Sequence, residues 1–192
     1  LGIGGIAIAL AAQTILGDLF SYFVIFFDRP FEIGDFIIVD DKSGTVEYIG
    51  IKTTRVRTLK GDLLICSNTD LTNSRLHNYK KLDRRRSLFT LGVLYETTAE
   101  QLEKIPSIIK KIIEDVDDID FGRCHFSNYG AFSLDFETVY YVNANDYDIH
   151  MNKQQEVFVK VFKAFKEEGI GFAYPTQTIY MGKDEEDNSN DK

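Results

Sequence analysis

Tryptophan is absent from the 192 residues, cysteine and methionine occur twice each, and proline occurs three times. Cys66 and Cys124 stand far apart without CxxC spacing, which fits a reducing compartment better than a disulfide framework. Both read as buried packing residues. Positive charge is also short: 22 Lys+Arg face 30 Asp+Glu, a net charge of -8. A molecule without a basic field is not built as a dedicated nucleic-acid binder. His77, His125 and His150 share no HxxxH or HxxE spacing with one another or with the cysteines, so no catalytic or metal site and no cofactor is expected. There is no GxxxxGK[ST] loop, and the glycines of GIGGIA open no βαβ unit. With 44% hydrophobic and 13% aromatic residues, wholesale disorder is excluded as well, and the length suits one large domain or two small ones.

Charge is missing most completely from residues 1–27, where Asp18 is the single charged group; all 22 Lys+Arg and 29 of the 30 acids follow. The run exceeds the roughly 20 apolar residues that a helix needs to cross a bilayer. It opens with neither Met nor a basic n-region, so it is expected to be an internal piece of a longer protein and not a signal peptide. A buried core helix is the alternative. At about 100° per residue, Gly2, Gly5, Ala9 and Ala12 fall on one side and Ala7 and Ala11 roughly opposite. Ile6 and Leu10 point between these flanks, and Leu1, Ile8 and Ile15 point the other way. Two opposed small-residue flanks let identical helices pack closely on both sides, which suits a ring of copies around a pore. One large-residue stripe would then form stacked apolar rings able to gate by dewetting; the plot alone does not choose between the stripes. A single membrane anchor needs only one small flank.

After Gln13 the small-residue pattern stops. Thr14 and Gly17 weaken a helix, and Asp18 is costly at mid-bilayer. A bend at residues 14–17 is expected, leading into an interfacial helix with its phenylalanines in lipid; the alternative is one long helix leaving the membrane at Asp18. Arg29-Pro30 ends the helical stretch.

From Phe31 the text changes to short β-branched runs separated by glycine turns, FEIGDFIIVD, TVEYIGIKTTRVRTL and LLICSN, which read as a small barrel over 29–86. Residues 87–182 follow the order β-α-β-β-α-β, with the strands SLFTLGVLY, RCHFSNY, AFSLDFETVYYVN and QTIYM, the ferredoxin-like order. Its helices carry Ile105, Ile108, Ile109, Ile112, Ile113 and Val116, then Val157, Phe158, Val161, Phe162 and Phe165, one apolar stripe each. Pro106 either kinks a helix begun at Thr98 or marks its main start. Residues 183–192 are expected to be a disordered acidic tail. The expected fold class is thus a membrane pore helix followed by α+β, an Sm-like or SH3-like barrel and then a ferredoxin-like domain. Lys80–Arg86, with Arg55 and Arg57, form the one basic cluster, read as a solvated linker or an intersubunit patch; an RNA-binding module of barrel plus ferredoxin-like domain, tethered to the membrane, is the alternative.

The junction FDRPFEIGDFI, preceded by a Gly/Ala helix ending in Ala11, Ala12 and Gln13, resembles the small-conductance mechanosensitive channel (MscS) family. So do Gly44-Thr45-Val46, TTRVRT at 53–58, LLICSN at 63–68 and FAYPTQTIY at 172–180. The resemblance implies a homoheptamer in a cell (inner) membrane, with three transmembrane helices per subunit preceding a cytoplasmic cage that begins near residue 29. It implies membrane lipid as a partner, permeating ions and small solutes, no nucleic acid, and opening by tension on hypoosmotic shock. The family pattern places Ile6 and Leu10 at the gate, which leaves the small flanks Gly2, Gly5, Ala7, Ala9, Ala11 and Ala12 for helix packing and Thr14, Gly17 and Asp18 for the bend. Arg29, Pro30, Phe31, Gly34 and Asp35 form the junction between membrane and cytoplasm. The chain departs from the family at Thr14 and Tyr22, where glycine is usual, and at Ser67, where proline usually precedes the asparagine.

Overall fold

The computed structural model describes residues 2–176, without the side chains of residues 2, 3, 6–9, 11, 14 and 15. The strand expected at QTIYM and the acidic tail lie outside the described residues. The chain divides into two compact units: residues 1–85 with 143–152, and residues 86–142 with those from Lys153 on.

The first unit opens with α1 (Gly2–Asp28), a single helix that continues through Thr14 and Gly17. The expected separate interfacial helix is therefore the second half of α1 and not an element of its own. Among the described residues no helix is long and apolar enough to cross a membrane; most of the side chains on which the pore-lining expectation rests lie outside that description. Five strands follow, β1 (Phe36–Val39), β2 (Lys42–Ile49), β3 (Thr53–Thr58), β4 (Leu63–Ser67) and β5 (Leu76–Asn78), with the short helix α2 (Asn68–Asn73) between the last two. They form one antiparallel sheet in the order β4-β3-β2-β1-β5. Tight strand connections impose that order, and Gly44 permits it: a Cβ there would run into the Arg57 carbonyl of β3. Ile37, Val46 and Val56 point to one face, where Ile25 of α1, Phe31 and Leu71 of α2 complete the core. The end of α1 is thus part of this unit's core, with each fully buried side chain of this size worth about 1.5–3 kcal/mol.

The second unit contains β6 (Arg85–Val93) from Arg86 on, α3 (Ala99–Glu114), β7 (Ile119–Tyr129), β8 (Leu134–Val142) and, from Lys153 on, α4 (Tyr147–Glu167). The sheet order is β6-β8-β7. α3 begins at Thr98, whose hydroxyl accepts the Gln101 N–H while the Gln101 side chain accepts the Thr98 N–H, a capping box. Pro106 lies inside this helix. Ile105, Ile109 and Ile113 are buried together with Val157, Val161 and Phe165 of α4. Phe158 and Phe162 sit at the margin, against Phe89 at 5.0 Å and Phe172 at 5.7 Å. Residues 171–173 run antiparallel beside the end of β6, with a bridge between Val93 and Phe172.

Candidate functional site

The C-terminal half of α1 turns its polar residues inward and its apolar residues outward, the reverse of a helix on a water-soluble surface. Asp18, Ser21 and Ile25 are buried, whereas Leu16, Phe20, Phe23, Val24, Phe26 and Phe27 are exposed. The phenylalanines stack at i,i+4, Phe23 on Phe27 at 6.4 Å, and make a continuous outer face.

The inward polar residues meet α2. Thr69 donates its hydroxyl to Asp18 Oδ1 at 2.7 Å, Thr72 donates to Ser21 Oγ at 3.1 Å, and Ser21 Oγ lies 3.4 Å from Thr69 Oγ1. The partner that Asp18 needs is therefore a threonine 51 positions away. A Cβ at Gly17 would stand 3.9 Å from Thr69 Oγ1, so α2 lies alongside this glycine without filling its space. α2 is itself held firmly. Ser67 caps it, its hydroxyl accepting the Asp70 N–H at 3.0 Å, and Ser67 has φ -69, the value at which proline is fixed. Serine thus keeps a backbone that proline would also adopt and adds a cap. Asn68, fully buried, donates to the carbonyls of Gly50 and Ile51 and accepts the Thr54 hydroxyl. This binds α2 to the β2–β3 turn.

The junction residues form a second knot. Arg29 takes the left-handed conformation (φ 47) and its N–H reaches the Ile25 carbonyl at 3.1 Å, which ends α1. Lys81 Nζ donates to the Arg29 carbonyl at 2.6 Å and Asn78 Nδ2 to the Pro30 carbonyl at 3.1 Å. Phe31 fills the core. Gly34 has φ 89, a conformation glycine adopts without a Cβ penalty, and its N–H bonds the Val46 carbonyl. Asp35, 2% exposed, accepts from Asn78 Nδ2 at 2.7 Å and the Glu32 N–H at 3.0 Å and pairs with Lys80 Nζ at 3.2 Å. Burial pushes this carboxyl up, but the bonds from Asn78 and Glu32 and the Lys80 ammonium outweigh it and hold the pKa below the usual 3.8.

All five expected junction residues therefore come together, joined by Asn78, which sequence reasoning did not single out, and by Lys80 and Lys81, which it read only as part of the basic cluster. Thr69, Thr72 and Ser21 were missed too; the Ser67-x-x-Asp70 spacing was the available signal for α2. Of the expected pore residues, Leu10 is 61% exposed, and among the described residues nothing lies within 4 Å of where a Cβ at Gly5 would stand. Ala12 is half-buried. The side chains of Ile6, Ala7, Ala9, Ala11 and Thr14 lie outside the described residues, as does the surrounding of Gly2. The basic cluster is largely engaged within the chain: Lys80 with Asp35, Lys81 with Arg29, Arg57 with Glu47, and Arg55 over the Tyr48 ring. Among the described residues no group of His, Cys, Asp or Glu could hold a metal ion.

Two family models match: the mechanosensitive ion channel beta-domain over residues 14–81 and the mechanosensitive ion channel MscS C-terminal domain over residues 88–172. The small-conductance mechanosensitive channel MscMJ of Methanocaldococcus jannaschii is 37% identical over 96% of this chain and 53% of its own length. The low conductance mechanosensitive channel YnaI of Escherichia coli is 30% identical over 94% of this chain and 54% of its own. The chain spans about half the length of the curated relatives it matches. The crystal structure of Helicobacter pylori MscS in its closed state superposes with a TM-score of 0.78 at 25% identity, covering 95% of this chain and 72% of that one. The inverted helix, the sheet that buries its end and the matched domains agree, and the chain belongs to the MscS family of mechanosensitive channels.

Proposed function

We propose that this chain is part of a subunit of an ion channel opened by membrane tension, which releases ions and small solutes on hypoosmotic shock and performs no covalent chemistry. The observation that carries the reading is the inverted α1. A helix that buries Asp18 and Ser21 while exposing Phe20, Phe23, Phe26 and Phe27 fits a lipid surface outside and a protein unit inside. Tension favours whichever state occupies more membrane area, and the population shifts accordingly. The Asp18–Thr69 seam, the Arg29–Asp35 knot and Ile25 in the core are places where a displacement of α1 reaches the sheet. In this reading seven copies surround the pore in a cell (inner) membrane, Ile6 and Leu10 form its apolar rings, and residues from about 29 onward are cytoplasmic. Gly2, Gly5, Ala7, Ala9, Ala11 and Ala12 pack neighbouring pore helices, and any change of helix direction falls at Thr14–Asp18. The five-stranded unit is an Sm-like barrel and the second unit ferredoxin-like; the sheet orders β4-β3-β2-β1-β5 and β6-β8-β7 support both descriptions. The names of the relatives support the activity, and the RNA-binding alternative draws no support from them.

The test is patch recording from liposomes containing the full-length protein, under graded suction. Pressure-activated current with a reproducible threshold is expected. Silence of membranes in which the protein is demonstrably inserted would overturn the reading.

A further inference from the structure

The chain passes from one unit to the other three times, at residues 85–86, 142–143 and 152–153. Two of these passages fall inside regular elements: β6 leaves the first unit after its first residue, Arg85, and α4 leaves it after Asn152. The starts of both elements meet within the first unit. The Arg85 guanidinium carbon lies 5.7 Å from the ring centroid of Tyr147, the first residue of α4, and 5.3 Å from that of Tyr79. Tyr79 is fixed to the sheet, since its N–H donates to the Phe36 carbonyl at 2.9 Å and its ring stands edge-on to the Phe36 ring with centroids 6.2 Å apart. Ile37, next to Phe36, lies in the core with Ile25 of α1. Arg85 Nη2 also donates to the Asn145 carbonyl at 3.4 Å, and Asn145 Nδ2 to the Lys80 carbonyl at 3.4 Å. Both are long for hydrogen bonds, and among the described residues the buried Arg85 Nε has no hydrogen-bond partner. The two tyrosine rings are therefore the main hold on the guanidinium.

We propose that Arg85 is a positioning residue of the channel: stacked between Tyr79 and Tyr147, it pins the first turn of α4 to the sheet of the first unit, so that a displacement of α1 is passed on along α4. A cation over a tyrosine face is attracted by the ring quadrupole, and a planar guanidinium stacks on rings in a way that an ammonium cannot. The path is continuous. It runs from Ile25 of α1 through Ile37 and Phe36 of β1 to Tyr79, Arg85 and Tyr147. A regular helix is one of the rigid elements that carry such coupling, and the later turns of α4 bury Val157, Val161 and Phe165. Asn145 and Tyr147 are exposed, and a stretch with few buried contacts opens locally at far less cost than the whole fold. Asn143 and His150 on the same stretch are engaged as well, so loss of the stack loosens residues 143–152 without releasing them. The role in gating rests on the channel reading; the pin itself does not.

The test uses the full-length protein in lipid vesicles, by hydrogen exchange at neutral pH and by patch recording. Arg85→Lys keeps the charge and loses the planar stack, so peptides covering 143–152 are expected to exchange several-fold faster than in wild type, while peptides from β1–β3 keep their protection. Tyr147→Leu should give the same loss, and Tyr147→Phe, which keeps the ring, should restore it. Current decay during a held pressure step should change in Arg85→Lys and Tyr147→Leu and return to the wild-type course in Tyr147→Phe. Wild-type exchange in Arg85→Lys, or equal loss in the Phe and Leu variants, would overturn the pin. Faster exchange with unchanged decay would overturn its role in gating. A wild-type protein that passes no pressure-activated current would overturn the channel reading and the gating role with it, while the exchange data still decide the pin.

Discussion

Asp35 carries more of the junction than any other side chain, because one buried carboxylate satisfies Asn78, the Glu32 N–H and Lys80 together. Asn78→Ala leaves both this carboxylate and the Pro30 carbonyl short of a donor, a loss of about 1–3 kcal/mol, read as a lower unfolding temperature. Because the pKa of Asp35 is held below 3.8 in the folded protein, its contribution is present above that value and is lost as pH falls through the depressed one. Asp35→Asn should therefore be less stable than wild type near neutral pH, and the difference should shrink in acid; a gap that widens on acidification would contradict the assignment. At the pore, Leu10→Ser puts a hydroxyl into a proposed apolar ring and lowers the cost of wetting. It should conduct at lower tension than wild type, and Ile6→Ser should do the same. If Ile8→Ser leaks while Leu10→Ser gates normally, the two stripes of the helix have been exchanged.

Two helices of very different length, α1 and α2, are joined by four hydroxyl and carboxylate side chains, and this seam is the proposed path from lipid to sheet. Thr69→Val keeps the volume and removes the donor to Asp18, leaving a buried carboxylate oxygen unpaired at a cost of about 1–3 kcal/mol. Its threshold tension should shift from that of wild type, whereas Thr69→Ser should restore it; equal thresholds in all three would disconnect the seam from gating. Gly17→Ala stiffens the same stretch, since alanine favours helix by roughly 1 kcal/mol over glycine, and the 3.9 Å approach of Thr69 leaves room for the methyl. Current decay during a held pressure step should then change in one direction for Gly17→Ala and in the other for Thr14→Gly. α2 and β5 were not legible beforehand because six and three residues are too short to display a period, although the cap of α2 was written in Ser67 and Asp70. The helices α3 and α4, by contrast, were readable from their apolar stripes, since their length gives the 3.6-residue period several turns in which to repeat.

The whole molecule is expected to act as a ring of identical copies, and native mass spectrometry of the full-length protein in detergent should give the mass of seven subunits. Any other stoichiometry would require the small flanks of the pore helix to be reassigned. Among the described residues nothing covers the exposed phenylalanines of α1; lipid and neighbouring copies are the proposed cover, and removal of detergent should precipitate the protein.

The sequence by itself determined the change in charge after residue 27, the end of α1 at Arg29-Pro30, the strand runs after it and the helices α3 and α4, because charge, proline and periodicity act over a few residues. Only the tertiary structure decided that Asp18 is satisfied by Thr69, that Asn78 and Lys80 hold Asp35, and that residues 143–152 return to the first unit. The partners in the first two pairings are 51 and 43 positions apart. Such contacts depend on which faces meet once the sheet has formed, and local propensity carries no record of that.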